Sequence, residues 1–238
     1  MSLERLDKII ASQGFGSRKE AQSLIRNGKV QVNGRAVRLP DFKADAQADS
    51  ITVGGASLAY KQFVYIMMNK PAGVVSASRD PKMKTVVDLV PEALNRRGLF
   101  PAGRLDRDTT GLLILTDDGD FAHRMLAPKK HVYKLYHATI DGPVGEAEIK
   151  RFAEGVEFED GTLCLPATLT VVLPGEQPTV EVKIREGKFH QVKKMFRAVG
   201  RTVLTLERVR IGSLALDPAL GLGQSREMTQ EEANQVFL

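Results

Sequence analysis

The sequence predicts an α+β fold: a small helix–helix–hairpin unit first, then a larger domain with a mixed or antiparallel sheet and flanking helices. Three observations carry this expectation. Apolar runs of strand length recur after residue 63, with few long helical patterns between them. Asn33-Gly34, the strongest short hairpin signal, sits at the centre of the alternating segment KVQVNGRAVRL. The charge is also uneven: residues 1–40 hold eight Lys/Arg against three acids, a net +5 that equals the net charge of the whole chain. With 238 residues the chain has room for one or two domains. The expected division is 1–54 for the basic unit, 55–62 for a short linker within GGASLAYKQ, and 63–238 for the larger domain.

Each element follows from local pattern. Leu6, Ile9, Ile10 and Gln13 share a face of a short helix that stops near Gly14. Ser17-Arg18-Lys19-Glu20 has the spacing of a capping box. Ala21, Leu24 and Ile25 give the second helix its buried stripe, and Gly28 ends it. The hairpin follows, and Ile51-Thr52-Val53 adds a short strand. Leu58 and Tyr60 offer apolar groups for local docking of the linker. FVYIMMNKPAGVV then opens the larger domain with a continuous apolar strand. Further strands are expected at 112–116, 134–140, 167–173, 179–184 and 203–208, and helices near 85–95, 120–127, 146–154 and 190–199.

Composition narrows the function classes. No apolar run approaches the roughly 20 residues of a membrane span, and MSLERLDKII lacks a signal-peptide core, so a cytoplasmic protein is expected. The single cysteine, Cys164, excludes an internal disulfide and argues against a thiolate zinc site. His123, His131, His137 and His190 have no usual ligand spacing, so no metal is expected. Phosphate-cradling glycine motifs and the G-x-S-x-G elbow are absent, so no nucleotide cofactor is expected either. The basic first unit leaves Arg18, Lys19, Arg26, Lys29 and Arg35 free to face a phosphate backbone, with a solvated face as the equal alternative.

Three stretches of the larger domain set polar groups beside apolar strands. GRLDRDTTG, 103–111, is a loop between two glycines; by spacing alone it favours a turn held by Asx-type hydrogen bonds over catalysis. In VYKLYHATI, 132–140, alternation puts Lys134 and Tyr136 on one face, either as ordinary strand residues or as a seat for a planar base. In REGKFHQVKKMFRAVG, 185–200, Val192, Met195, Phe196 and Val199 form the apolar stripe of a helix. His190, Lys193, Lys194 and Arg197 then fall within an arc of about 100°. That cationic face suits RNA phosphate or a carboxylate partner, and equally a solvated surface.

Two resemblances sharpen these readings. LDKIIASQGFGSRKEAQSLIRNGKVQVNGRAV resembles the small RNA-binding domain of the ribosomal protein S4 type, over about residues 3–50. GRLD, the K-L-Y of strand 134–140 and EGKFHQVKKMF, taken with MNKPAGVVSA, resemble the pseudouridine synthases, and among them the RsuA type that modifies small-subunit rRNA.

The resemblance implies roles. Asp106 would be the essential aspartate and Tyr136 the ring stacked on the flipped uracil. Lys193 would be the basic partner of Asp106, where many relatives carry an arginine, and Arg104 would position the extruded nucleotide or fill its gap. Arg107, His190, Lys194 and Arg197 would join the five cations of the first unit as RNA contacts. No cofactor is implied, because the isomerisation gains and loses no atoms. The implied partner is ribosomal RNA, 16S before 23S, or a small-subunit assembly intermediate; a monomer is expected because the sequence carries no strong oligomerisation signal. Rival readings are a non-catalytic RNA-binding assembly factor and, more weakly, a base-releasing glycosidase, which would want two placed carboxylates.

Overall fold

The computed structural model describes residues 3–127 and 132–238. Its contacts divide the chain into two compact units: residues 1–64 together with 95–99, and residues 65–94 together with 100–238.

In the first unit, β1 (Leu3–Arg5) leads into α1 (Leu6–Ser12) and α2 (Arg18–Arg26). The capping box ahead of α2 is formed: the Ser17 hydroxyl accepts from the Glu20 N–H at 3.3 Å, and the Glu20 carboxylate accepts from the Ser17 N–H at 2.6 Å. Next come β2 (Val30–Val32), β3 (Arg35–Val37), β4 (Lys43–Asp45), β5 (Ile51–Val53) and β6 (Ala56–Ser57). The β2–β3 turn has φ of 51° at Asn33 and 77° at Gly34, the pair of positive angles that a tight primed hairpin turn needs. Strands β3-β2-β5-β6 form one antiparallel sheet, and β1 pairs with β4. Leu6, Ile9, Ile10, Ala21, Ile25 and Leu58 meet in a single core, and Tyr60 packs against it. The 55–62 stretch thus contributes a strand and a core residue to this unit.

The second unit runs β7 (Tyr65–Lys70), β8 (Phe100–Pro101), β9 (Thr110–Thr116), α3 (Gly119–Leu126), β10 (Lys134–Ile140) and α4 (Glu146–Glu154). It continues with β11 (Thr168–Leu173), β12 (Thr179–Ile184), α5 (Gln191–Ala198), β13 (Val203–Ile211), β14 (Leu214–Ala215), β15 (Ser225–Glu227) and α6 (Gln230–Gln235). The sheet has the order β11-β12-β10-β13-β9-β7-β15, with β14 beside β13 and β8 beside β9. Its β9–β13 contact is parallel and its other pairings are antiparallel, so the fold is α+β on a mixed sheet. Residues 112–115 in β9 are fully buried, as expected of a central strand covered on both faces.

The helix expected near 85–95 is not formed. A single 3-10 turn, Val87–Leu89, stands there. Two local facts compete with helix. The Val86 N–H donates to the Val75 carbonyl at 3.0 Å, drawing the chain into a bridge, and Val90, which precedes Pro91, is extended at ψ 126°. The strand expected at 203–208 continues to Ile211, and β1, β4, β8, β14, β15 and α6 carry too little pattern to be read beforehand.

Candidate active site

Asp106 lies on the loop that joins β8 to β9, with about a quarter of its side chain exposed. The loop's shape is imposed from beneath. Lys70, the last residue of β7, is fully buried, and its ammonium donates to the carbonyls of Thr109 at 2.9 Å, Pro71 at 3.0 Å, Asp106 at 3.1 Å and Arg107 at 3.3 Å. The Ser76 hydroxyl brackets Leu105, donating to its carbonyl at 2.9 Å and accepting from its N–H at 3.0 Å. The Gly73 N–H donates to the Arg107 carbonyl at 2.8 Å. At the far end Gly111 sits at φ 97°, where a Cβ would come within 2.3 Å of the Arg208 carbonyl oxygen. Glycine is therefore required for β13 to run alongside β9.

Asp106 opens onto a cleft shared with Arg104, Thr109, Tyr136, His190 and Leu206. Tyr136 is buried to 8% exposure in the middle of β10, opposite Val182 on one neighbour and Arg208 on the other. Pairing on both sides fixes its position, so it offers a rigid ring wall. Lys134 is buried on the same face of β10, and burial, then the charge of Arg208, pushes its amine down to about 8. The Thr109 hydroxyl is buried without a hydrogen-bond partner among the described residues.

Helix α5 supplies the cations. The Lys193 ammonium lies 3.4 Å from a carboxylate oxygen of Asp106 and 2.5 Å from one of Asp108. It therefore spans both acids but sits closer to Asp108, whose carboxyl it holds below the usual range against the opposing effect of burial. A lysine offers one point charge, so it meets each carboxylate through a single contact and cannot pair with one of them bidentately as a guanidinium does. His190 precedes α5 in the left-handed region, φ 52° and ψ 35°, with Nε2 3.7 Å from Asp106. Arg104 is exposed and lines the cleft, whereas Arg107 is exposed and does not line it. Lys194 and Arg197 point elsewhere: they line a separate depression with Phe158 and Asp160, and the Lys194 ammonium is 3.6 Å from Asp160. The single cationic face read from helix periodicity is thus divided between two sites.

In the first unit Arg18 is committed to a buried partner. Its guanidinium donates to Asp7 at 3.1 Å, beside Arg5 at 3.1 Å and the Gln22 amide at 2.8 Å. Lys19, Arg26, Lys29 and Arg35 are exposed. Lys70 is the residue of the site that sequence reasoning missed. Its signal was present: a lone charge closing the apolar run YIMMNK, directly before Pro71. Among the described residues no three His, Cys, Asp or Glu gather as metal ligands, and His131 lies outside them. No helix of the described residues is long and apolar enough to cross a membrane.

A carboxylate faced by an ammonium and an imidazole, in a cleft walled by a fixed phenol ring, can serve as nucleophile or proton acceptor toward a planar ring. The sequence model of RNA pseudouridylate synthase matches residues 64–198, and that of the S4 domain matches residues 4–49. The chain is 43% identical over 229 residues to an uncharacterized RNA pseudouridine synthase of Bacillus subtilis, YtzG, covering 96% of each. It is 42% identical over 230 residues to ribosomal small subunit pseudouridine synthase A of Escherichia coli, covering 96% of this chain and 97% of that one. A crystal structure described as pseudouridylate synthase aligns with a TM-score of 0.67 at 35% identity, over 98% of this chain and 99% of the other.

Proposed function

The chain belongs to the RNA pseudouridylate synthase family, and from that premise we propose that it isomerises one uridine of 16S rRNA, with Asp106 as the acting carboxylate. The observation that carries this reading is the placement of Asp106: on a loop braced from below, beside Lys193, in a cleft walled by Tyr136. The reaction breaks the bond from uracil N1 to the ribose, turns the base and rejoins it through carbon 5. Everything released is recaptured, which asks for a closed seat and a fixed carboxylate. Taking the base out of its stack costs a few kcal/mol, and stacking on Tyr136 returns roughly 1–3 kcal/mol. The small-subunit name of the Escherichia coli relative favours 16S over 23S rRNA as substrate.

Asp106→Asn keeps the side-chain shape and removes the charge. Isomerisation of rRNA is expected to fall about a thousandfold or more, with RNA binding retained. An Asp106→Asn protein that still makes pseudouridine would remove the assignment. Pseudouridine mapping of rRNA from a deletion strain tests the substrate: one missing site in 16S rRNA is expected, and a missing site in 23S rRNA alone would transfer the assignment there. A wild-type protein that binds rRNA and never isomerises it would leave the assembly-factor reading.

A further inference from the structure

Phe189 is a large apolar side chain held out in solvent, 72% exposed, at the tip of the turn between β12 and α5. Single exposed hydrophobics are common on protein surfaces and need no purpose. Three observations set this one apart. First, the turn is braced from inside: the Gln191 amide donates to Glu186 at 2.8 Å, Gln191 accepts from the Lys188 N–H at 2.9 Å, and the Leu165 N–H donates to Glu186 at 2.9 Å. Glu186 and Gln191 are both buried, so the tip does not swing freely. Second, the neighbouring His190 adopts positive φ, a sparsely populated conformation for a residue with a Cβ, and its ring stacks on Phe189 with centroids 3.8 Å apart and planes at 21°. Third, two cations stand near, beside two acids: Lys194, which is 3.6 Å from Asp160, and Arg197 line a depression that also holds Glu159. The Lys194 ammonium lies 5.8 Å from the Phe189 ring centre and 5.2 Å from that of Phe158. The depression is shallow, and Arg197 is exposed there.

A fixed aromatic face bordered by cations is the seat that unpaired nucleic acid bases take, because every base has a π-face and carries a phosphate beside it. The site is also well placed. His190 stacks on Phe189 on one side and reaches Asp106 at 3.7 Å on the other, so the platform adjoins the cleft. We propose that Phe189 is a stacking platform for an unpaired base of the RNA next to the flipped uridine, with Lys194 and Arg197 receiving its phosphate. The proposal rests on the reading of the cleft as a uridine site. It gives those two cations, which face away from Asp106, a use in holding the strand that enters the cleft.

The test uses the full-length protein, a fluorescein-labelled oligouridylate nonamer read by anisotropy, and isomerisation of 16S rRNA. Phe189→Leu is expected to weaken nonamer binding about tenfold and to raise the KM for rRNA with kcat little changed. Phe189→Tyr, which keeps the ring, is expected to bind within about twofold of wild type. An unchanged melting temperature excludes misfolding as the cause. Phe189→Leu binding as tightly as wild type, or wild type failing to bind the nonamer, overturns the platform. If Phe189→Leu loses affinity while wild type never isomerises uridine, the platform stands and the reading of the cleft falls.

Discussion

Among the described residues each unit fully buries one charged side chain, and the two are satisfied in opposite ways. In the first unit Asp7 is met by side chains: two guanidiniums, Arg5 and Arg18, and the Gln22 amide. Burial alone would push its carboxyl up; the hydrogen bonds from Arg5, Gln22 and Arg18 outweigh that and hold it well below the usual range. In the second unit Lys70 is met by backbone carbonyls, four of them, three on the segment that carries Asp106. Burial pushes its amine down to about 8; the charges of Asp108 and Asp106 work the other way, and those of Lys193 and Arg208 lower it further. The first arrangement cancels charge and ties α1 to α2. The second shapes a loop and leaves a positive charge beneath two carboxylates. A buried charge paired with side chains acts as a staple, whereas one caged by carbonyls sets the path of the chain that surrounds it.

The largest change is expected at Lys70. Lys70→Met leaves carbonyls of Pro71 and Thr109 buried without their donor, at about 1–3 kcal/mol each. The second unit is expected to lose about 3 kcal/mol in denaturant unfolding, and isomerisation to fall about a hundredfold as the Asp106 loop relaxes. A stable and fully active Lys70→Met protein would reduce Lys70 to filler. Asp7→Ala leaves Arg5 and Arg18, both half exposed, to rehydrate. The cost to the first unit is therefore expected to be smaller, about 2 kcal/mol, seen as faster amide exchange in α1 and α2. The kcat of the isomerisation is expected to hold, and a loss there would mean Asp7 does more than fasten two helices.

The same two residues respond to pH with opposite sign. Asp7 is depressed in the folded chain, so its stabilisation is present above the ordinary carboxylate value and is lost as pH falls below it. Lys70 and Lys134, both near 8 when folded against 10.5 when free, bind fewer protons folded than unfolded in that window. Stability of the second unit should therefore rise as pH goes from about 8 to 10.5. Activity should fall as pH passes through about 8, where the folded amine loses its proton, because a neutral amine has fewer hydrogens to share among four carbonyls. Parallel pH profiles of unfolding and turnover check this; curves that move together would contradict it. The smallest expected effect is Ser17→Ala, about 1 kcal/mol from the α2 cap, which sharpens the comparison by showing how far the Asp7 staple exceeds an ordinary cap.

Legibility in the sequence followed the range of the interaction. The capping box at Ser17–Glu20, the Asn33-Gly34 turn and helix α4 depend on neighbours a few residues away, and strands β10 and β12, whose partners are distant, still carry an alternation that marks them. The expected helix at 85–95 failed because a distant partner, Val75, claimed its backbone. Arg18, which the basic N-terminal pattern put among the RNA contacts, is drawn to Asp7 eleven residues earlier, a pairing that charge counting cannot register.

By itself the sequence determined the two-part α+β plan, the concentration of positive charge in the first forty residues, and the loop and helix that bring Asp106 and Lys193 into question. These are properties of composition, period and local motif. Only the tertiary structure decided which carboxylate Lys193 meets most closely, that Lys194 and Arg197 belong to a different depression, and that Lys70 lies under the Asp106 loop. Each joins residues far apart in the chain: Lys193 and Asp108 are 85 residues apart, and Lys70 and Asp106, brought together by the pairing of β7 with β9, are 36 apart. A one-dimensional pattern lists the charges that are available, and the packing of the sheet determines which of them meet.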